Sequence, residues 1–131
     1  MAARTTQKVQ AVLPEHVDIH SRAVALAYYG SPELVYADAI KKFSAVRPWT
    51  ATPPLPWASP AANDTVVDML LSGDVVMQVN EAVQAINDAD PFVRVDARTF
   101  VSTAICWLCE HVYRDVFDKS KAQRKPPMPL H

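Results

Sequence analysis

Asn63-Asp64-Thr65-Val66-Val67-Asp68-Met69-Leu70-Leu71-Ser72-Gly73-Asp74 is the stretch on which the fold class turns. Asn63 or Asp64 offers a side-chain oxygen to the backbone N–H groups of a first helical turn, so a short helix is expected over 65–71. Ser72-Gly73-Asp74 then joins a C-terminal stop to a new cap. Downstream, Val75, Val76, Val79, Ala82, Val83 and Ile86 fall within an arc of about 120° on a helical wheel, which predicts an amphipathic helix over 75–87 ending at Asn87-Asp88. Met77 alone points away from that stripe. Pro91-Phe92-Val93-Arg94-Val95 alternates for too few residues to define a strand, and Asp96 can cap a helix beginning at Ala97. The most apolar segment of the chain predicts that helix over 97–119, and Arg124-Lys125-Pro126-Pro127 lies beyond its end.

Upstream, residues 47–60 read RPWTATPPLPWASP, and prolines at this density exclude regular helix and favour extended geometry. Before it, Ser31-Pro32-Glu33 combines a capping hydroxyl, a proline with pre-set φ and a first-turn acid. These start a helix over 32–46, its apolar residues Val35, Tyr36, Ala39, Ile40, Phe43 and Val46 recurring at helical spacing. Pro14 and Gly30 bracket another helix over 14–29, and the two form an antiparallel hairpin at Gly30. The expected fold is therefore all-α, with about five helices over 14–29, 32–46, 65–71, 75–87 and 97–119, and an extended Pro/Trp-rich connector over 47–60. One helical domain over 14–123 lies between an N-terminal extension, 1–13, and a Pro-rich tail, 124–131.

Composition narrows the function. The chain has 131 residues, half of them hydrophobic, which suits a single core. A formal net charge of −1 provides no basic field to draw it to nucleic acid or anionic lipid. Two glycines against eleven prolines disfavour Gly-rich phosphate loops and hairpin-rich β folds, both of which need positive φ. Cys106 and Cys109, the only cysteines, lie inside an apolar run, unlike a disulfide framework, and point to a reducing, cytoplasmic compartment. No stretch suits a membrane span, and the start lacks a signal-peptide core. Arg4 and Lys8, with no acid before Glu15, leave mitochondrial import as the alternative.

Candidate chemistry is sparse. Cys106-Trp107-Leu108-Cys109 has the spacing of a dithiol or half a zinc site, but about ten helical residues precede it, whereas a redox pair uses a helix N-terminus to stabilise thiolate. Only His111 is nearby as a further ligand. His16 and His20, one turn apart, could share a metal but read better as two histidines on an exposed helix side. No nucleophile elbow is present, so no catalytic residue, cofactor or metal is assigned.

The residues that stand out are apolar. Trp49 and Trp57 carry too much area to remain solvated and are expected to dock on this protein or a partner. In the last helix, Val101, Ala104, Ile105, Leu108, Cys109, Val112 and Val116 form one stripe, and Cys106, Tyr113 and Phe117 widen it to about 220°. Such a helix is central or shared with another chain, and Tyr113 and Phe117 in its last turns favour sharing. Seven acids between Asp64 and Asp96 face a single Arg94, and Lys119 to Lys125 is basic, a charge division read first as solvated helix faces and ends.

A helix to Asp88, the loop over 91–95 and a long helix after Asp96-Ala97-Arg98 loosely resemble the first helix, loop and central helix of a histone fold. That resemblance covers under half the chain and implies dimerisation. The sequence departs from it in having Pro-Pro-Met-Pro-Leu-His where a third helix belongs, and in lacking a basic surface. The expected function is a non-catalytic interaction or structural subunit of a larger assembly, with Trp49, Trp57, Tyr113 and Phe117 toward protein partners in a homo- or hetero-oligomer. The alternatives are a thiol redox or metal protein using Cys106 and Cys109, and a histone-like dimerisation protein.

Overall fold

The computed structural model describes residues 6–59, 61 and 64–114. Among these residues, four helices and a two-stranded antiparallel sheet make a mixed α/β fold, in place of the expected all-α arrangement. The order is β1 (Thr6–Leu13), α1 (Glu15–Val24), α2 (Pro32–Val46), β2 (Thr65–Ser72), α3 (Gly73–Ala89) and α4 (Ala97–Trp107). Both α1 and α4 continue for five residues as π-helix, over Ala25–Tyr29 and Leu108–Val112.

The segment read as a helix over 65–71 is strand β2. Thr65-Val66-Val67-Asp68-Met69-Leu70-Leu71 places apolar residues at both two- and four-residue spacing, so periodicity alone does not separate the two. What separates them is a partner. Val9, Ala11 and Leu13 alternate on one face of β1, within the segment assigned to an N-terminal extension, and pair with Met69, Val67 and Thr65. This common face packs inward, burying Ala11, Leu13, Met69 and Leu71, while Val66, Asp68 and Leu70 face outward. A seven-residue helix would be short for independent stability and would turn Met69 and Leu71, two residues apart, to opposite sides.

The helices obey their local signals. Pro14 precedes α1, and Gly30 closes its π-helical extension at φ 89°, the left-handed geometry glycine adopts without Cβ strain. Pro32 opens α2, which ends on Arg47, also left-handed at φ 56°. Asp96 caps α4 by accepting the Thr99 N–H at 2.7 Å, and that bond lowers its pKa below the usual carboxylate value. The expected helix over 97–119 is described to Val112; its last turns, with Val116 and Phe117, lie outside the described residues.

Helix α4 is the central element. Phe100 to Ile105 are six consecutive buried residues, and α4 touches β1, α2, α3 and α1. Its wide apolar arc is thus occupied within the chain through Cys109. Two of the six are polar and tie other segments to the helix. The Ser102 hydroxyl donates to the Arg98 carbonyl at 2.6 Å and accepts the Val12 N–H at 2.9 Å; the Thr103 hydroxyl donates to the Thr99 carbonyl at 2.7 Å and accepts the Ala58 N–H at 2.9 Å. One hydroxyl holds β1 and the next holds the connector.

Asn87 fixes the turn between α3 and α4. Its amide accepts the Val95 N–H at 2.8 Å and donates to the Val95 carbonyl at 2.9 Å, satisfying both backbone groups of a buried residue. Asn87→Ala orphans both, and a loss of about 2–3 kcal/mol in urea unfolding is expected, since each unsatisfied buried group costs about 1–3 kcal/mol. A loss below about 0.5 kcal/mol would show that water replaces the amide.

Candidate functional site

The connector is folded onto the core through its tryptophans. Arg47 reverses the chain, and Pro48–Thr50 forms a single 3₁₀ turn where extended geometry was expected. The Leu55 N–H then bonds back to the Pro48 carbonyl at 3.1 Å. Trp49 and Trp57 are thereby brought together, ring centres 5.7 Å apart, on the fully buried Phe43. The Phe43 ring centre lies 5.0 Å from Trp49, 6.1 Å from Trp57, 5.2 Å from Phe100 and 5.6 Å from Trp107. Both expected anchor residues therefore pack within their own chain, yet each stays half-buried.

Their remaining surface borders a cavity of about 530 Å³ between the C-terminal end of α2 and α3. Trp49, Trp57 and Ile86 give it apolar walls, and the small side chains of Ala82, Ala85 and Ala89 leave the space open along α3. The polar groups sit apart. The Arg47 guanidinium carbon lies 5.9 Å from the Trp49 ring centre, a cation–π arrangement, and Glu81 and Asp90 also line the cavity. The Ser44 hydroxyl oxygen on the wall is buried and bonds to no described residue. Among the described residues that line the cavity there is no histidine or cysteine. The arrangement suits binding of an amphipathic group.

Tyr113 occupies a different place, at the end of the π-helical extension of α4. Its ring stacks on Tyr28 at 5.1 Å and meets Tyr29 edge-on at 5.9 Å. The Tyr29 hydroxyl donates a short bond to Asp38, which Lys42 also approaches at 2.8 Å. With that proton committed, the 2.6 Å contact between the Tyr29 and Tyr113 hydroxyls has Tyr113 as donor. Burial and the Asp38 bond raise the Tyr29 pKa; burial also acts to raise that of Asp38, but bonds from Lys42 and Tyr29 outweigh it and lower the carboxyl. Tyr113 is thus held by its own chain, and Phe117, the residue expected to act with it, lies outside the described residues.

The thiols are poorly placed for chemistry. Burial, with Glu110 nearby, pushes both Cys106 and Cys109 up to about 12. Cys109 is buried, and Cys106 borders a smaller cavity of about 230 Å³ with Trp107 and Glu110. The two first-helix histidines do not share an exposed side: His16 is exposed, but His20 is buried, its Nε2 3.4 Å from the Tyr113 carbonyl oxygen. Among the described residues no group of three His, Cys, Asp or Glu side chains is positioned to hold a metal ion. No described helix is long and apolar enough to cross a membrane.

The sequence singles out Trp49 and Trp57 but not Ser44, Arg47, Glu81 or Asp90, which line the same cavity. Nothing local marks these four, because the cavity exists only where α2 meets α3. Ser102-Thr103, two hydroxyls in an apolar run, was the available signal that something docks on α4. No family model, curated protein or solved structure matches the chain.

Proposed function

We propose that this chain is a non-catalytic interaction subunit and that the cavity beside Trp49 and Trp57 receives a side chain or short segment of a protein partner. One observation carries the reading: two indoles fixed from behind by Phe43 keep part of their surface toward an open cavity of about 530 Å³. Rigid aromatic surface of this kind is what binding hot spots use, because little side-chain entropy is lost on contact. The raised thiol pKa values support a role that does not use Cys106 or Cys109 as nucleophiles.

The test is site-specific crosslinking. A photoreactive side chain at position 81, on the cavity rim, is expected to capture a discrete partner in cells. Ala85→Trp, which fills the cavity from an exposed helix position, is expected to abolish that product while leaving the circular dichroism unchanged. An undiminished crosslink in the filled variant would reject the cavity as the site.

A further inference from the structure

We infer that the outer edge of β2 is a strand-addition site for an extended peptide carrying a basic residue between two apolar ones at alternate positions. The site is independent of the cavity and rests on the parity of the sheet. The Val12 N–H donates to Ser102 on α4, away from β2, so Val12 and its partner Val66 are a non-hydrogen-bonded pair. Parity then extends along the ladder: Gln10–Asp68 and Lys8–Leu70 are of the same type, and the N–H and C=O groups of Val66, Asp68 and Leu70 all point away from β1. No described residue bonds to them. The opposite edge differs, because α4 flanks β1 and Ser102 occupies its Val12 donor.

The residues with outward backbone groups also have exposed side chains. Val66 is 61% exposed and Leu70 59%, with Asp68 between them on the same face. An incoming strand therefore meets donors and acceptors that no described residue engages, plus an apolar, acidic, apolar row, the combination that strand-addition sites use for affinity and specificity. Lys8 approaches Asp68 at 3.4 Å, but both side chains are half exposed or more, so the pair is weak and leaves carboxylate capacity for an incoming cation.

Charge decides the occupant. From Asp64 to Asp74 the chain carries three acids and no basic residue. A second copy pairing about a two-fold axis at Asp68 would set Asp68 directly against Asp68. A basic strand meets no such repulsion.

The probe is a capped peptide, Thr-Leu-Thr-Lys-Thr-Leu-Thr, whose palindromic sequence serves either strand direction, titrated against the full chain by fluorescence anisotropy. Saturable binding is expected, at least tenfold tighter than for the same peptide with glutamate at its centre. Leu70→Pro removes one outward N–H without breaking a bond to β1, and is expected to weaken binding at least tenfold. Should that variant unfold, Asp68→Lys supplies the check, with the preference inverted toward the glutamate peptide. The cavity-filling Ala85→Trp is expected to bind the lysine peptide as wild type does, which separates failure here from failure of the proposed partner cavity. Absence of saturable binding, equal binding of both peptides, or undiminished binding by a folded Leu70→Pro would overturn the proposal. So would sedimentation showing a wild-type dimer that Leu70→Pro dissociates, which would make a second copy the occupant.

Discussion

Phe43→Ala is expected to lower the free energy of unfolding by about 3–5 kcal/mol, the usual range for deleting a fully buried aromatic side chain. A domain of this size has about 5–15 kcal/mol in total, so this substitution brings it near the threshold of folding. The size of the effect comes from where the ring sits. Phe43 is the common neighbour of Trp49, Trp57, Phe100 and Trp107, with ring centres between 5.0 and 6.1 Å away. Its loss leaves a cavity under α4 and removes the platform on which the connector rests, and aromatic pairing adds to the area term. Urea unfolding monitored by circular dichroism measures the stability. Indole emission is expected to shift to the red at low urea as Trp49 and Trp57 gain water. Phe43→Leu retains much of the volume and is expected to cost about 1–2 kcal/mol. A loss below about 1 kcal/mol for Phe43→Ala would mean that the connector does not depend on this cluster.

Native Cys106 and Cys109 are expected to react with iodoacetamide at pH 7 at least a hundredfold more slowly than in the urea-unfolded chain. Thiolate is the reacting species, and a rise from 9.0 to about 12 lowers its fraction at pH 7 about a thousandfold. Burial slows access further, more for Cys109 than for the half-buried Cys106. Mass spectrometry of the labelled chain over time resolves the two sites. Either thiol reacting within tenfold of its unfolded rate, under conditions where global unfolding is negligible, would return the thiol-redox alternative to first place. Cys109→Ser is a useful companion: it puts a hydroxyl at a fully buried position and is expected to destabilise the fold, while Cys106→Ser is milder.

Local events needed nothing beyond the order of the residues. Pro14, Gly30, Pro32 and Asp96 act through φ restriction, positive φ or a side-chain cap, each within a few residues of its own backbone. The helices beginning near them stand where those signals put them. Strand β2 depended on tertiary contact, because Val66-Val67-Asp68-Met69-Leu70-Leu71 satisfies two periodicities, and only the ladder with β1, on the far side of α1 and α2 in the chain, selects one. The cavity depended on it for the same reason: Trp49 and Trp57 announced that their area would be covered, but which faces, and beside which carboxylates, came from α3 packing near the end of α2. So did the role of Tyr113, whose helical-wheel position suggested an outward anchor until the π-helical end of α4 turned it onto Tyr28 and Tyr29. Capping and turn energies are local and legible in a window of residues; pairing register and cavity shape are properties of surfaces that meet only after the chain has folded.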